Sequence, residues 1–360
     1  MADQSAPAAP IPGSTDQNPA SPVHPLQAEL IPAELPEDNE DDDNDSALGV
    51  NDALSSTASV ASSVLHYRTI QGRTYHSERY NTEYIMPNDD RQSESIDITH
   101  HYLTLLLGGK LFLAPIKDDI QKALDVGTGT GIWAIDFADQ FTNTEVIGMD
   151  LSPTQPTWVP PNLKFELDDA TQTWSWPDST FDFVHIRYLF GGIADWNALF
   201  KQAYRCCKPG GWVQSCEADA SVSSDDGTAD GIPAIKTLNT LIKEGGKKFG
   251  RSLCVLEEDL QKKGFEAAGF VDIQEVNFKV PASGWPQDPK IREVGQFVKL
   301  ALENDLEGYT LMLWKNVLNW PEEEFQVFLM GMRNVLKNKR IHGYFKVRYV
   351  YGRKPADGMA

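Results

Sequence analysis

The chain is 360 residues long and carries 32 Lys and Arg against 52 Asp and Glu, a formal net charge of −20. A field of that sign repels phosphate backbones and anionic lipid headgroups, so neither nucleic acid nor a membrane surface is an expected partner. No apolar run approaches the roughly 18 residues of a membrane span, and the four cysteines (Cys206, Cys207, Cys216, Cys254) lack paired metal-ligand spacing. Free thiols in a reducing compartment, and no metal, are expected.

Residues 1–66 hold twelve of the 52 acids, eight of the 22 prolines and no Lys or Arg. That composition predicts a disordered acidic tail whose deletion leaves stability nearly unchanged. Its run Glu37, Asp38, Glu40, Asp41, Asp42, Asp43 and Asp45 either contacts a basic protein partner or is only solvated. Without the tail the remaining chain carries −8. The first basic residue is Arg68, so the charged and apolar regions of a secretory signal are missing and a cytoplasmic or nuclear location is expected.

From Tyr67 aromatic residues return, and Ile96, Leu103, Leu106 and Leu107 fall at helical spacing within 93–113; a cap of helices over 67–118 is predicted. Short apolar runs then alternate with helical segments. Strands are predicted at 123–126, 145–149, 163–167, 181–186 and 211–215, with helices at 132–140 and 196–206. Such alternation gives a parallel α/β sheet. A helix at 256–268, a strand at 271–278 and a last strand at 345–351 follow. The intervening stretch of about 65 residues contains helical patterns at 294–304 and 322–336 and is too long for a plain loop. It predicts a helical lid over about 280–343 within a domain spanning 119–360.

The most informative stretch is Lys122-Ala-Leu-Asp125-Val-Gly127-Thr128-Gly129-Thr-Gly131-Ile-Trp-Ala, a strand entering a glycine loop that opens a helix. Glycines there permit tight turning and close backbone approach to a ligand at the carboxyl edge of the sheet. Asp150 ends the next strand 19 residues after Gly131, where a carboxylate accepts from both hydroxyls of a ribose. A dinucleotide loop is the competing reading. It places a glycine or alanine three residues after its second glycine, and here Ile132 stands there. An acid two residues before the first glycine also repels a pyrophosphate and suits a cationic ligand. Further along the edge, Asp168-Asp169-Ala170 follows the third strand, where Asp169 is the better candidate to accept from an adenine amino group. The segment Phe181-Asp-Phe-Val-His185-Ile-Arg187 forms the fourth strand; His185 there faces the ligand or is a hydrogen-bonded core histidine. Glu217 follows the fifth strand.

With these motifs the chain resembles a class I S-adenosylmethionine-dependent methyltransferase, and within that group the fungal LaeA-like methyltransferases. The resemblance rests on Leu124-Asp-Val-Gly-Thr-Gly-Thr-Gly-Ile-Trp, Val146-Ile-Gly-Met-Asp-Leu-Ser-Pro153, Trp158-Val-Pro-Pro-Asn162, Lys208-Pro-Gly-Gly-Trp212, Ile341-His-Gly-Tyr-Phe345 and Tyr351-Gly-Arg-Lys-Pro355. It includes Pro87-Asn-Asp-Asp90 with Tyr84 shortly before it, and spans about 75–355. One departure is Glu94-Ser-Ile-Asp97, where relatives tend to keep Glu-x-x-Arg, so a cap contact made by that basic residue is missing.

The resemblance implies a Rossmann-like seven-stranded sheet and S-adenosyl-L-methionine as cofactor. The implied cofactor set is Tyr84, Asp125 at the methionine amino group, Gly127, Thr128, Gly129 and Gly131, Asp150 and Leu151 at the ribose, Asp169 and Ala170 at adenine, and His185. Methyl transfer from a sulfonium is an in-line displacement in which positioning supplies most of the catalysis. A base is needed only for a protonated acceptor, and His185 and Glu217 are the candidates, with Tyr188 behind them. His100, His101 and His342 are expected in packing roles. Three functional classes follow: a small-molecule methyltransferase of fungal secondary metabolism, a nuclear regulator that methylates protein or acts in a transcription complex, and a non-catalytic cofactor binder, against which the intact motifs weigh. The aromatic content of the lid (Trp285, Phe297, Tyr309, Trp314, Trp320, Phe325, Phe328) favours an enclosed small-molecule acceptor.

Overall fold

The computed structural model describes residues 25–26, 29–34, 67–77 and 83–356. The acidic run at 37–45, with most of the expected tail, lies outside the described residues. Within that tail Ile31, Pro32 and Ala33 pair with the lid: Gln287 N donates to Ile31 O at 2.7 Å and Ala33 N to Trp285 O at 2.9 Å.

The expected helical cap is instead a hairpin and one helix. Strands β1 (Tyr67–Ile70) and β2 (Arg73–Ser77) pair antiparallel. Their loop residues Gln71 and Gly72 have φ of 52° and 79°, the double positive φ of the two-residue turn whose twist matches a hairpin. Helix α1 (Asp90–Leu106) follows. Asp89 caps it by accepting from Gln92 N at 3.2 Å, which satisfies one of the free amides of the first turn.

The strands of the main sheet are β3 (Lys122–Val126), β4 (Glu145–Asp150), β5 (Leu163–Leu167), β6 (Phe181–Arg187), β7 (Cys207–Ser223), β8 (Val271–Pro281) and β9 (Tyr344–Arg353). Their order is β5-β4-β3-β6-β7-β9-β8. The pairs from β5 through β7 are parallel, whereas β9 lies antiparallel to both β7 and β8. Helices α2 (Ile132–Gln140) and α3 (Trp196–Cys206) make crossovers. The order reverses between β4 and β6 around β3, so the carboxyl ends of these strands open the crevice where α/β sheets bind ligands.

A helix absent from the sequence reading, α4 (Pro233–Phe249), precedes α5 (Leu260–Ala268). It carries Pro233 in its first turn and ends at Gly250 with φ 75°, the usual asymmetry of helix ends. Its internal glycines obscure it in the sequence, yet both permit close packing. A Cβ on Gly245 stands 3.1 Å from Leu313 Cδ2, and one on Gly246 stands 3.1 Å from Arg251 O.

The lid between β8 and β9 consists of α6 (Pro289–Leu311), a π-helical turn (Met312–Val317) and α7 (Glu322–Lys337). Helix α6 kinks at Asp305, which has φ −138° and ψ 41°. Arg73 of the hairpin holds that kink, donating from both terminal nitrogens to the Asp305 carboxylate at 2.7 Å each and also binding Asp89. Ser95 Oγ donates to Ala301 O at 3.1 Å and Asn304 Nδ2 to Arg91 O at 3.0 Å, so α1 and α6 form one layer across the sheet's edge. The lid aromatics mostly pack on one another. Trp314 meets Trp320, Phe325 and Phe328 at centroid distances of 4.8, 5.2 and 5.1 Å. No helix among the described residues is long and apolar enough to cross a membrane.

Candidate functional site

Leaving β3, the chain passes Gly127, Gly129 and Gly131 with φ of 68°, 59° and 82°. Side chains rarely adopt that region. At Gly127 an added Cβ would overlap the Leu189 side chain, and at Gly131 it would overlap Phe165. Gly129 N donates to Asp150 Oδ2 at 2.8 Å, and Ser152 N donates to Asp150 Oδ1 at 3.0 Å. The loop after β3 and the end of β4 therefore hold each other. Burial pushes the Asp150 carboxyl up to about 6; the backbone donors Gly129, Ser152 and Leu151 oppose this, and nearby Asp125 adds to it.

These residues line a cleft of about 180 Å³ along the carboxyl edge. Of the residues expected from the sequence, Tyr84, Gly127, Thr128, Gly129, Asp150, Leu151, Asp169 and Ala170 line it. Asp169 is positioned by its own turn, its Oδ1 accepting from Thr171 N at 2.9 Å and Thr171 Oγ1 at 2.7 Å.

Four expected residues stand outside the lining. Asp125 is turned inward, its Oδ2 accepting from Thr128 Oγ1 at 2.6 Å and its Oδ1 facing His185 Nδ1 at 2.7 Å. His185, 1% exposed, stacks on Trp133 at 3.7 Å. Burial lowers its pKa, against the opposing pull of Asp125. It packs in the core against Trp133 and is not among the residues that line the cleft. Gly131 serves helix α2 as its N-cap. Glu217, 0% exposed, accepts from Leu189 N at 3.1 Å and Phe190 N at 3.0 Å. Burial pushes its carboxyl up to about 8, with those two backbone donors opposing. Both oxygens are thus engaged with backbone, and neither His185 nor Glu217, the residues expected as a base, is among those that line the cleft.

Other lining residues are invisible to sequence reasoning. Arg187 at the end of β6 lines the cleft, and its Nη1 donates to His100 Nδ1 at 3.1 Å, while His100 Nε2 faces Asp136 at 2.9 Å. No carboxylate among the described residues forms an ion pair with Arg187. His76 also lines the cleft, with Nε2 accepting from Tyr84 N at 3.2 Å. Asp97, where the family pattern departs, accepts from Thr130 Oγ1 at 2.6 Å and so braces the glycine loop from α1.

A second cavity, of about 120 Å³, lies behind the cleft between the sheet and the lid. Met86, Thr99, Tyr188, Phe190 and Tyr309 line both, so the two are adjacent. Its walls are mainly aliphatic, including Leu238, Ile242, Val298, Leu306 and Val347. Of the aromatic residues expected from the lid, only Tyr309 lines it; Trp314, Trp320, Phe325 and Phe328 build the lid's own core, Phe297 packs on His101 of α1 and Trp285 on His342.

Two cavities of this kind suit a cofactor with a ribose, a heteroaromatic base and a charged amino-acid end. Two glycines leave room for backbone approach, carboxylates mark one end and middle, and an arginine marks the other. Among the described residues no group of His, Cys, Asp and Glu is arranged to hold a metal ion.

Comparison with known proteins agrees with this reading. A family model described as a methyltransferase domain matches residues 98–275. The methyltransferase pytC of Aspergillus terreus is 35% identical over 305 residues, covering 84% of this chain and 93% of the relative. The secondary metabolism regulator LAE1 of Cochliobolus heterostrophus is 32% identical over 290 residues, covering 79% of this chain and 94% of the relative. Among solved structures, Haemonchus contortus phosphoethanolamine N-methyltransferase 2 in complex with S-adenosyl-L-methionine aligns at 21% identity and a TM-score of 0.40, over 73% of this chain and 52% of that one. With these relatives and the seven-stranded sheet, the chain belongs to the LaeA-like fungal family of class I methyltransferases, enzymes that use S-adenosyl-L-methionine.

Proposed function

We propose that the enzyme methylates a small molecule of fungal secondary metabolism. The observation that carries this reading is the aliphatic chamber under the lid, which shares five lining residues with the cofactor cleft. An enclosed apolar space fits an organic ligand and excludes water, whereas a protein segment needs an open, polar groove. The alternative is a regulator that methylates protein, which the regulator among the relatives favours.

In this reading Asp150 receives the ribose hydroxyls and Asp169 the adenine amino group. Gly127 and Gly129 admit the ligand close to the backbone, and Arg187 receives the methionine carboxylate. When bound, the sulfonium supplies an electrophilic methyl carbon and a thioether leaving group. The chain's part at the junction is to orient the acceptor and keep water out. Burial raises the Tyr102 hydroxyl to about 12 and the Tyr188 hydroxyl well above its ordinary value. Both therefore stay protonated and donate hydrogen bonds instead of removing protons.

The test is transfer of label from methyl-labelled cofactor into a fungal lysate separated into macromolecular and low-molecular-weight fractions. Label is expected among small molecules and is lost with Gly129→Val. Label confined to protein, and abolished by the same substitution, favours the regulator.

Asp150 gives a second expectation. Its acceptor form prevails above about pH 6, so cofactor affinity should fall as pH drops from 7.5 to 5.5, by up to about tenfold per unit at the limit. The sign for folding is opposite. A carboxyl raised above its unfolded value near 3.9 contributes stability below that value and loses it as pH rises through about 6. Affinity therefore weakens in acid without this group destabilising the fold. Calorimetry should find the slope flattened in Asp150→Asn, and an identical slope in that variant would remove Asp150 from the ribose site.

A further inference from the structure

Resting on the small-molecule reading, we infer that the chamber takes an uncharged, single-ring organic acceptor bearing a hydroxyl, anchored by the paired Tyr102 and Tyr188 hydroxyls beside the cofactor cleft.

Charge sets the first limit. Among the described residues no Lys, Arg or His lines the chamber, so a carboxylate or phosphate there would lie desolvated and unpaired. Its acid, Asp219, is 2% exposed and accepts from Leu256 N at 2.9 Å, and burial raises its pKa. Thr310 Oγ1 is engaged with Leu306 O at 2.7 Å. Size sets the second limit. A cavity near 150 Å³ with apolar walls holds a benzene, so about 120 Å³ plus the shared junction admits a ring with substituents.

What remains polar is concentrated at the junction. Tyr102 and Tyr188 hydroxyls lie 3.2 Å apart, and both tyrosines line the chamber. Thr99, Tyr188 and Tyr309 line both cavities. Two hydroxyls that share one bond leave one donor and several lone pairs for a ligand. Tyr188 is held there against its backbone preference, with φ 53°. A non-glycine residue in that region is strained and persists only where its surroundings enforce it. The enforcement is visible: Tyr188 N donates to Cys216 O at 2.9 Å, and Glu217 grips the next two amides. Glu217 is thus a positioning residue for Tyr188.

The test measures binding of four matched probes (ethylbenzene, 4-ethylphenol, 4-ethylbenzoate and 4-ethylbenzylamine) to the full chain saturated with S-adenosylhomocysteine. The phenol should bind about fivefold tighter than ethylbenzene, the worth of one net hydrogen bond, and the benzoate should not bind. Tyr188→Phe should reduce the phenol to the ethylbenzene level while circular dichroism stays near wild type. Tyr102→Phe, outside the lining of the cofactor cleft, should weaken the phenol in the same direction while S-adenosylhomocysteine affinity stays at the wild-type value. Benzoate or benzylamine binding tighter than the phenol overturns the inference, as does a phenol preference that survives both variants or a chamber that binds no probe. Label still entering small molecules in that last case leaves the small-molecule reading standing, so the two failures are distinguishable.

Discussion

Arg73→Ala is expected to lower folding stability by about 3–5 kcal/mol, the usual consequence of breaking a buried ion pair from one side. Arg73 is 8% exposed and Asp305 0%. Removing the guanidinium leaves the Asp305 carboxylate buried with Gly308 N at 3.0 Å and Arg91 at 3.5 Å as its remaining partners. Three elements lose their common anchor: the hairpin, the first turn of α1 through Asp89, and the kink of α6. Replacing both partners, Arg73→Leu with Asp305→Leu, removes both desolvated charges and should recover a large part of the loss. Burial alone would raise the Asp89 carboxyl, but the hydrogen bonds from Arg73 outweigh this and hold it below the ordinary value. A depressed carboxyl contributes stability above its unfolded pKa, about 3.9, and loses it only as pH falls through the lower folded value. Asp89 therefore adds no pH dependence to the loss between pH 7 and pH 5. Urea denaturation measures it; a loss under about 1 kcal/mol, or a double variant as unstable as the sum of the singles, would show that the network contributes little.

Asp305 is followed four residues later by Tyr309, so a pair joining residues 232 positions apart sets the part of α6 that overlooks both cavities. No local pattern announces such a pair. The glycine loop and Asp150 were legible because their function is local: a strand, a turn needing positive φ and an acid at the end of the next strand. Asp125 and His185 stand outside the cleft lining for a reason of register. Both sit on strands that end at the site, but β3 and β6 place Asp125 opposite His185, and His185 stacks on Trp133 of α2. Spacing along one strand does not reveal its register with another. Glu217, expected as a substrate-side acid or base, binds the amides of the two residues that follow Tyr188. The hairpin was legible and overlooked: Gln71-Gly72 between two alternating runs is a two-residue turn signal. The lid aromatics misled in the opposite direction. A lid long enough to cover a cavity needs its own core, and Trp314, Phe325 and Phe328 supply it.

Gly129→Val should abolish measurable S-adenosyl-L-methionine binding, a loss of at least about 100-fold, or roughly 3 kcal/mol. Two effects contribute and one control separates them. A β-branched residue at φ 59° is strained by about 1–2 kcal/mol, which by itself lowers stability and loosens the loop. The added side chain has room on the protein side, since a Cβ would meet Ile96 Cγ2 only at 3.7 Å. Ile96 lines the cleft, so the isopropyl group fills the cofactor's space without forcing the fold apart. Gly129 also anchors its surroundings through three bonds, from its own N to Asp150 and from Thr154 and Gln155 to its O, and these hold the loop in place while the cleft is obstructed. Circular dichroism should remain near wild type. Gly210→Val is the control: φ is 80° and an added Cβ meets nothing within 4 Å, far from the cleft lining. It carries similar backbone strain and should lose some stability while binding the cofactor normally in calorimetry. If both variants lose binding equally, the effect is strain transmitted through the fold. If Gly129→Val binds as wild type while folded, the cofactor does not lie against this loop.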